Sequence, residues 1–313
     1  MTKYKYIYGP VPSRRLGSSL GISPIPEKTC NYSCVYCQLG RTDKLVNKRS
    51  EFFKLEDIIA ELKAYDWKSA NVDVITIVGE GEPTLYSKLG ELIEETKKIT
   101  NKTVAVITNG ALMSDPDVRS ELMCADIVLP SIDAYNDEIF RKIDRPYGKL
   151  NFDEISEGLR IFSEEYKGQL MIEIMLVDEM NNSEKDIEGF KKYLASINYD
   201  KLYINTPVRP PAEANIRAVD KDSIKYAVDE LVGISIDMLA SGDFFSDTED
   251  TYEAVLSITS RHPMSQFELK GFLDSRKLEE KELADIYAKM ETDDRVNIID
   301  YKGIKTYRSR KEI

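Results

Sequence analysis

Histidine is nearly absent from this chain: His262 is the only one in 313 residues. Cysteine is scarce as well, with four residues, and the 16 Gly and 12 Pro are neither abundant nor periodic. Four cysteines are too few for the disulfide framework of a secreted scaffold. With 42% of residues hydrophobic, the modest Gly and Pro content excludes collagen-like and disordered classes. No apolar run approaches the roughly 20 residues of a membrane span. The opening MTKYKYIYGPVPSRR lacks the apolar core of a secretory signal, so a cytoplasmic location with no membrane partner is expected. Positive charge is in deficit, 43 Lys+Arg against 55 Asp+Glu, for a net charge of −12. Phosphate contacts need clustered Lys and Arg, so this is a poor footprint for a general nucleic-acid binder, with a local basic patch left open.

What is present begins with rhythm. Short Val- and Ile-rich runs alternate with amphipathic stretches up to about position 205. Strands are expected at Ser18–Ile22, Val74–Val78, Val104–Thr108, Ile127–Ser131, Leu170–Val177 and Leu202–Asn205. Helices are expected at Leu55–Tyr65, Lys88–Ile99, Asp117–Cys124, Asn151–Tyr166 and Ser183–Ile197, the last capped by Ser183 with Asp186 three residues on. Apolar strands joined by helical crossovers imply an α/β fold with a parallel sheet, and six units suit a partial (βα)6 barrel like part of a TIM barrel. Functional residues then belong at the C-terminal ends of the strands. After Thr206 the pattern changes: PVRPPAEANIR, a helix at Lys221–Leu239, then the acidic linker SGDFFSDTED. From Asp250 three helices (Thr251–Thr259, near Gln266–Phe272, near Glu279–Met290) precede the hairpin VNIIDYKGIKTYR, turning at Lys302-Gly303. That order suggests a small C-terminal winged helix-turn-helix. The expected organisation is a barrel over 1–218, a helix and linker over 219–249, and a winged-helix domain over 250–313.

Three cysteines sit in one short loop, TCNYSCVYCQLG, as Cys30, Cys34 and Cys37. Three thiolates can hold three irons of a 4Fe-4S cluster and leave the fourth iron without a protein ligand. Zinc is the rival, but zinc sites usually close with four ligands, and the nearby stretch supplies no fourth Cys or His. Cys124, near a helix end, reads as a small buried hydrophobe.

The C-x-x-x-C-x-x-C spacing, with Tyr36 directly before the last cysteine, resembles the signature of the radical SAM superfamily. The resemblance implies that S-adenosylmethionine chelates the open iron through its methionine end. One electron then cleaves it to methionine and a 5′-deoxyadenosyl radical, which abstracts hydrogen from a substrate. Further motifs follow in strand order. Gly79-Glu80-Gly81-Glu82-Pro83 is similar to the turn that holds the methionine amino group, through Glu80, Glu82 or a backbone carbonyl. Thr108 and Asn109 end the third strand, Ser131 and Asp133 the fourth, and Glu173 lies in the fifth; by resemblance the groups at the third and fourth strand ends reach the carboxylate and ribose of the cofactor. YGPVPSRRLGSSLGI, VGEGEPTL, LPSIDA and NTPVRPP together look like Fe-S oxidoreductases grouped with the archaeal wyosine tRNA synthetases, but without the upstream cysteines of a second cluster. The resemblance implies a low-potential electron donor, a ferredoxin or flavodoxin. The substrate stays open among RNA, protein and small molecules.

Arg14 and Arg15 precede the first strand and Arg209 follows the sixth. A guanidinium forks onto carboxylate or phosphate, so these three would grip an anionic substrate or the cofactor carboxylate, or pair internally with Glu173 or Asp133. Arg145 leans to a structural role, and Lys28 raises the positive potential near the cysteines. The third helix of the C-terminal unit carries Glu279, Glu280, Glu282, Asp285 and Glu291, which would face phosphate in a groove, so duplex DNA is an unlikely partner. His262, before Pro263, reads as a turn or capping residue. Two rivals stand beside the radical SAM enzyme: a tRNA-modifying radical enzyme, and a redox-sensing Fe-S regulator that binds DNA.

Overall fold

A computed structural model describes residues 4–67, 71–236, 244–246, 248, 250–301 and 303–310. The chain opens with an antiparallel pair, β1 (Ile7–Ser13) and β2 (Gly17–Ile22). Two-residue strands β3 (Thr29–Cys30) and β4 (Lys44–Leu45) pair across the base of the cysteine loop. Then α1 (Leu55–Ala64), β5 (Val74–Ile77), α2 (Leu89–Thr100), β6 (Thr103–Thr108), α3 (Pro116–Leu122) and β7 (Ile127–Pro130) follow. Next come α4 (Asp137–Ile143), α5 (Phe152–Glu165), β8 (Gln169–Met175), α6 (Glu184–Leu194), β9 (Lys201–Asn205), α7 (Lys221–Leu231) and β10 (Ile234–Ser235). The sheet order is β1-β2-β5-β6-β7-β8-β9-β10, parallel throughout except at β1.

Burial explains the parallel pairing. Every residue of VITI in β5 and IVLP in β7 is buried, as strands covered on both faces require. The helices contribute one apolar stripe each; in α2 it is Leu89, Leu92, Ile93 and Thr96. All six expected strands occur, within a residue or two at their ends. Within the eight-stranded sheet and its helices, three elements have no counterpart among those expected. In β1, Pro10 and Pro12 argue against a strand, yet β1 is a sheet edge, where a missing N–H is tolerated, and its register shifts between Tyr8 and Val11. The seven-residue α4 is too short to show a period; Asn136 caps it by accepting from Ile139 N at 2.9 Å. The third, β10, arises because α7 stops early: Val232 adopts the left-handed conformation and Gly233 carries the chain into the strand. Residues 237–239 of the expected longer helix lie outside the described residues.

The C-terminal unit contains α8 (Thr251–Arg261), β11 (Met264–Ser265), α9 (Gln266–Ser275), α10 (Glu280–Thr292), β12 (Val296–Tyr301) and β13 (Ile304–Ser309). Its sheet runs β11-β13-β12, antiparallel, and Gly303 turns the hairpin at φ 75°. Lys302 and Lys311 lie outside the described residues. Val255, Ile258, Leu269 and Phe272 form the centre of its own core, to which β1 contributes Val11. Among the described residues, no helix is long and apolar enough to cross a membrane.

Side chains cap the N-termini of α3, α4, α5, α6, α7, α8 and α9. Ser183 and Asp186 form a reciprocal capping box on α6, with Ser183 Oγ accepting from Asp186 N at 3.2 Å. Ser183→Ala should lower stability by about 1 kcal/mol in urea unfolding; an unchanged midpoint would show that the cap contributes nothing.

Candidate functional site

The cysteine loop is shaped from both ends. Cys30 lies in β3, beside β4, and the loop that follows docks on the end of α4 through Ser33 N to Asp144 O (3.0 Å) and Val35 N to Ile143 O (2.9 Å). Tyr32 and Val35 are buried there, with Tyr32 edge-on to Phe140 at 5.3 Å. Tyr36 donates its hydroxyl to Asp133, whose other oxygen accepts from Met175 N at 2.7 Å. Burial pushes the Asp133 carboxyl up to about 6, against the pull of these two bonds. The three thiols line one cavity of about 410 Å³.

The GEGEP turn passes directly beneath. Glu80 O accepts from Lys28 N at 2.5 Å, and Glu82 N donates to Thr29 O at 3.1 Å. This approach requires glycine: a Cβ on Gly81 would stand 1.9 Å from Thr29 O. The two glutamates then separate. The Glu82 side chain is buried, with Oε1 accepting from Thr84 N (2.9 Å), Thr84 Oγ1 (2.5 Å) and Thr108 Oγ1 (2.6 Å), and Oε2 from Asn109 N (2.7 Å). Asn109 Nδ2 in turn bonds Asn31 Oδ1 at 2.7 Å and approaches Cys30 Sγ at 3.6 Å. Glu80 instead lines the cavity, where its Oε2 is 3.6 Å from Arg261 Nε.

A second wall of the cavity is cationic. Arg15 pairs with Glu173, which also accepts from Asn205 Nδ2 at 3.0 Å. Burial holds the Arg15 guanidinium down at about 10, with Tyr203 opposing and Arg209 and Arg14 adding to the effect. Arg209 donates from Nε to Pro263 O (2.9 Å) and from Nη2 to Glu268 Oε1 (3.1 Å), and Nη2 lies 2.8 Å from His262 Nε2. Burial first, and then Arg209, Arg15 and Arg14, hold the His262 imidazole well below its ordinary value. A neutral ring leaves Nε2 to accept from Arg209.

The structure thus brings Cys30, Cys34, Cys37, Tyr36, Gly79, Glu80, Gly81, Ser131, Glu173, Arg14, Arg15 and Arg209 to one cavity. Glu82 and Thr108 face away from it into the Glu82 network, and Asn109 and Asp133 line a small neighbouring hollow beside Ser131. Arg145 pairs with Glu213, the structural role expected. Cys124 is only half-buried, its thiol 3.7 Å from Glu94 Oε1, rather than the enclosed hydrophobe expected. Sequence reasoning missed Tyr8, Arg261 and Glu268, and saw in His262 only the helix cap that it also is. No local signal announces them, because they reach the cavity from β1 and from the C-terminal unit.

Residues 25–190 match the sequence pattern of the Radical SAM superfamily. The chain belongs to this superfamily, as a radical SAM enzyme whose cofactors are a 4Fe-4S cluster and S-adenosylmethionine. Among its relatives is a UPF0026 protein of Methanocaldococcus jannaschii, 36% identical over 304 residues that cover 95% of this chain and 93% of that one. A Brachyspira hyodysenteriae protein named GTPase Obg is 39% identical over 225 residues, but this chain spans only 33% of its length. A radical SAM methyltransferase from Sphaerobacter thermophilus shares the fold, with TM-score 0.51 and 16% identity over 70% of this chain and 68% of that one.

The donor set fits the cluster. Burial pushes all three thiols up, opposed at Cys30 by the backbone N–H groups of Tyr32 and Asn31 and at Cys37 by that of Leu39 and then by Lys28 and Arg308, and a bound metal would take the proton's place. Among the described residues, no three ligating side chains converge on a single metal position. A cluster takes one thiolate per iron, so its ligands surround a space instead.

Two outcomes follow from this geometry. Gly81→Ala should lower iron content after anaerobic reconstitution while the circular dichroism stays native; full iron loading would refute the close approach. Since folding disfavours the protonated His262, its contribution is complete above its ordinary value of about 6.5 and is lost as pH falls below it. His262→Gln should therefore lose less stability than wild type between pH 7 and pH 5 in urea unfolding.

Proposed function

We propose that Cys30, Cys34 and Cys37 hold the 4Fe-4S cluster and that the enzyme abstracts hydrogen from a substrate bound in the cavity beside it. The observation carrying this reading is the meeting of the three thiols, the GEGEP turn and the Arg14, Arg15 and Arg209 wall in one cavity. When bound and reduced by one electron, the cluster supplies the cleavage of S-adenosylmethionine to methionine and a 5′-deoxyadenosyl radical.

The chain's own residues divide the remaining tasks. Glu82 already accepts four hydrogen bonds, so the cofactor amino group is left to Glu80 and the turn backbone at Gly79 and Gly81. Thr108, Asn109 and Asp133 act as positioning residues: Thr108 orients Glu82, Asn109 steadies Cys30, and Asp133 fixes Tyr36. Ser131 and Glu173 face the cavity for the cofactor's polar groups, and the enclosing walls keep water and stray hydrogen donors from a radical. A ferredoxin or flavodoxin in the cytoplasm would supply the electron.

Residues 1–218 form the catalytic unit in this reading, 219–249 the connection, and 250–313 a winged-helix unit. The exposed carboxylates of α10, Glu279, Glu280, Glu282, Asp285 and Glu291, oppose duplex DNA and weaken the regulator alternative. No feature of the site favours tRNA over other substrates.

Anaerobically reconstituted protein should carry about four irons per chain. Replacing the three loop cysteines together should abolish iron binding, whereas Cys124→Ala should not. Dithionite-reduced protein should release 5′-deoxyadenosine from S-adenosylmethionine, and iron-loaded, reduced protein that neither binds nor cleaves it would sink the enzyme reading.

A further inference from the structure

Among the described residues, the cavity carries five cationic side chains against three carboxylates, inside a protein of net charge −12. Its cations come from separate stretches of chain that meet where the C-terminal unit closes on the barrel. Arg261 ends α8, and His262 and Glu268 flank β11. We propose that this seam, built by Arg209 from the barrel and Arg261 and His262 from the C-terminal unit, is a subsite for an oxyanion, carboxylate or phosphate, of a small-molecule substrate. The inference rests on the radical SAM reading for the identity of the site, and adds to it a substrate class and a reason for the C-terminal unit.

Hydrogen-bond capacity carries the argument. A guanidinium has five N–H groups. Arg209 commits Nε and Nη2 to Pro263, Glu268 and His262, while Nη1 makes only a long contact, 3.4 Å, to Gln38 Oε1. Arg261 spends Nη2 on Lys5 O at 2.8 Å and Nη1 on Ser257 Oγ at 3.3 Å, and its buried Nε has no hydrogen-bond acceptor, 3.6 Å from Glu80 Oε2. A buried donor without an acceptor, as at Arg261 Nε, costs stability. The donor left for an oxyanion in the cavity is therefore Arg209 Nη1, with the Arg261 charge beside it.

The surroundings hold these donors in place. Glu268 is pinned by its capping bond from Ser265 N at 2.7 Å, so the carboxylate that orients Arg209 is itself fixed by the start of α9. Arg261 lies over the Tyr8 ring at 5.3 Å. Rigid guanidinium groups lose little freedom on binding, which favours recognition of a compact anion. The cavity that these donors line, about 410 Å³, falls in the size range of small-molecule pockets.

The test uses full-length, iron-loaded protein with S-adenosylmethionine present, and inorganic phosphate and malonate as probes, read by calorimetry. Wild type should bind at least one probe saturably. At saturating S-adenosylmethionine, Arg261→Gln should weaken that binding about tenfold or more, and Lys281→Gln on the exposed face of α10 should behave as wild type. In unsubstituted protein the imidazole resonance of His262, the only one in the chain, should shift saturably with the same probe, so a misfolded variant would not shelter the idea. Absence of saturable binding, equal loss in Lys281→Gln, or an unmoved His262 signal overturns the proposal. Because the probes bind without cofactor cleavage, failure of the cleavage assay leaves this result readable.

Discussion

The buried carboxylate of Glu82 is the constraint on which the rest of the site depends. Burial alone would drive it toward its protonated form, and four donors from Thr84, Thr108 and Asn109 oppose that shift. Hydrogen bonds to a charged group contribute about 1.5–3 kcal/mol each, and a buried charge stripped of its partner costs more than it ever gained. The network therefore permits one arrangement of the GEGEP turn against the end of β6. Asn109 extends that arrangement to Asn31 and Cys30, and Gly81 lets the same turn touch the backbone at Thr29. The position of the first cysteine thus follows from a glutamate that does not itself line the cavity.

Much of this was legible in the sequence because it is local. Most of the buried strands announce themselves by short runs rich in Val, Ile and Leu, and the cysteine loop holds its three thiols within eight residues. What was not legible is which of two glutamates, Glu80 or Glu82, points inward. They are two positions apart in a turn, where no period decides the matter, and only the donors at the end of β6 select Glu82. β1 was hidden for a different reason: its prolines are compatible with a strand only at an edge, and edges are a property of the assembled sheet.

His262 shows how a correct local reading can be incomplete. As the residue before Pro263 it ends α8, as the sequence suggests. The same position sets its imidazole beside Arg209, which is 53 residues away and belongs to the loop after β9. Arg209, unpaired in any local sense, satisfies three of its donors only with groups from the C-terminal unit. Such pairings form between units that each have their own core, so neither unit's periodicity can announce them.

The placement of the C-terminal unit answers two physical demands at once. An uncovered β1 would present an edge strand open to pairing with another chain. Instead Val11 of β1 enters the core of the C-terminal unit, Phe245 N donates to Pro10 O at 3.2 Å, and Arg261 reaches back to Lys5 O. Those contacts carry the end of α8 to the cavity, because β1 is hydrogen-bonded to β2, whose Ser19 also lines it. Covering the edge and delivering Arg261 and His262 to the cavity are therefore consequences of one packing arrangement. A substitution that loosened α8 from β1 would expose the edge and pull two cations from the site together.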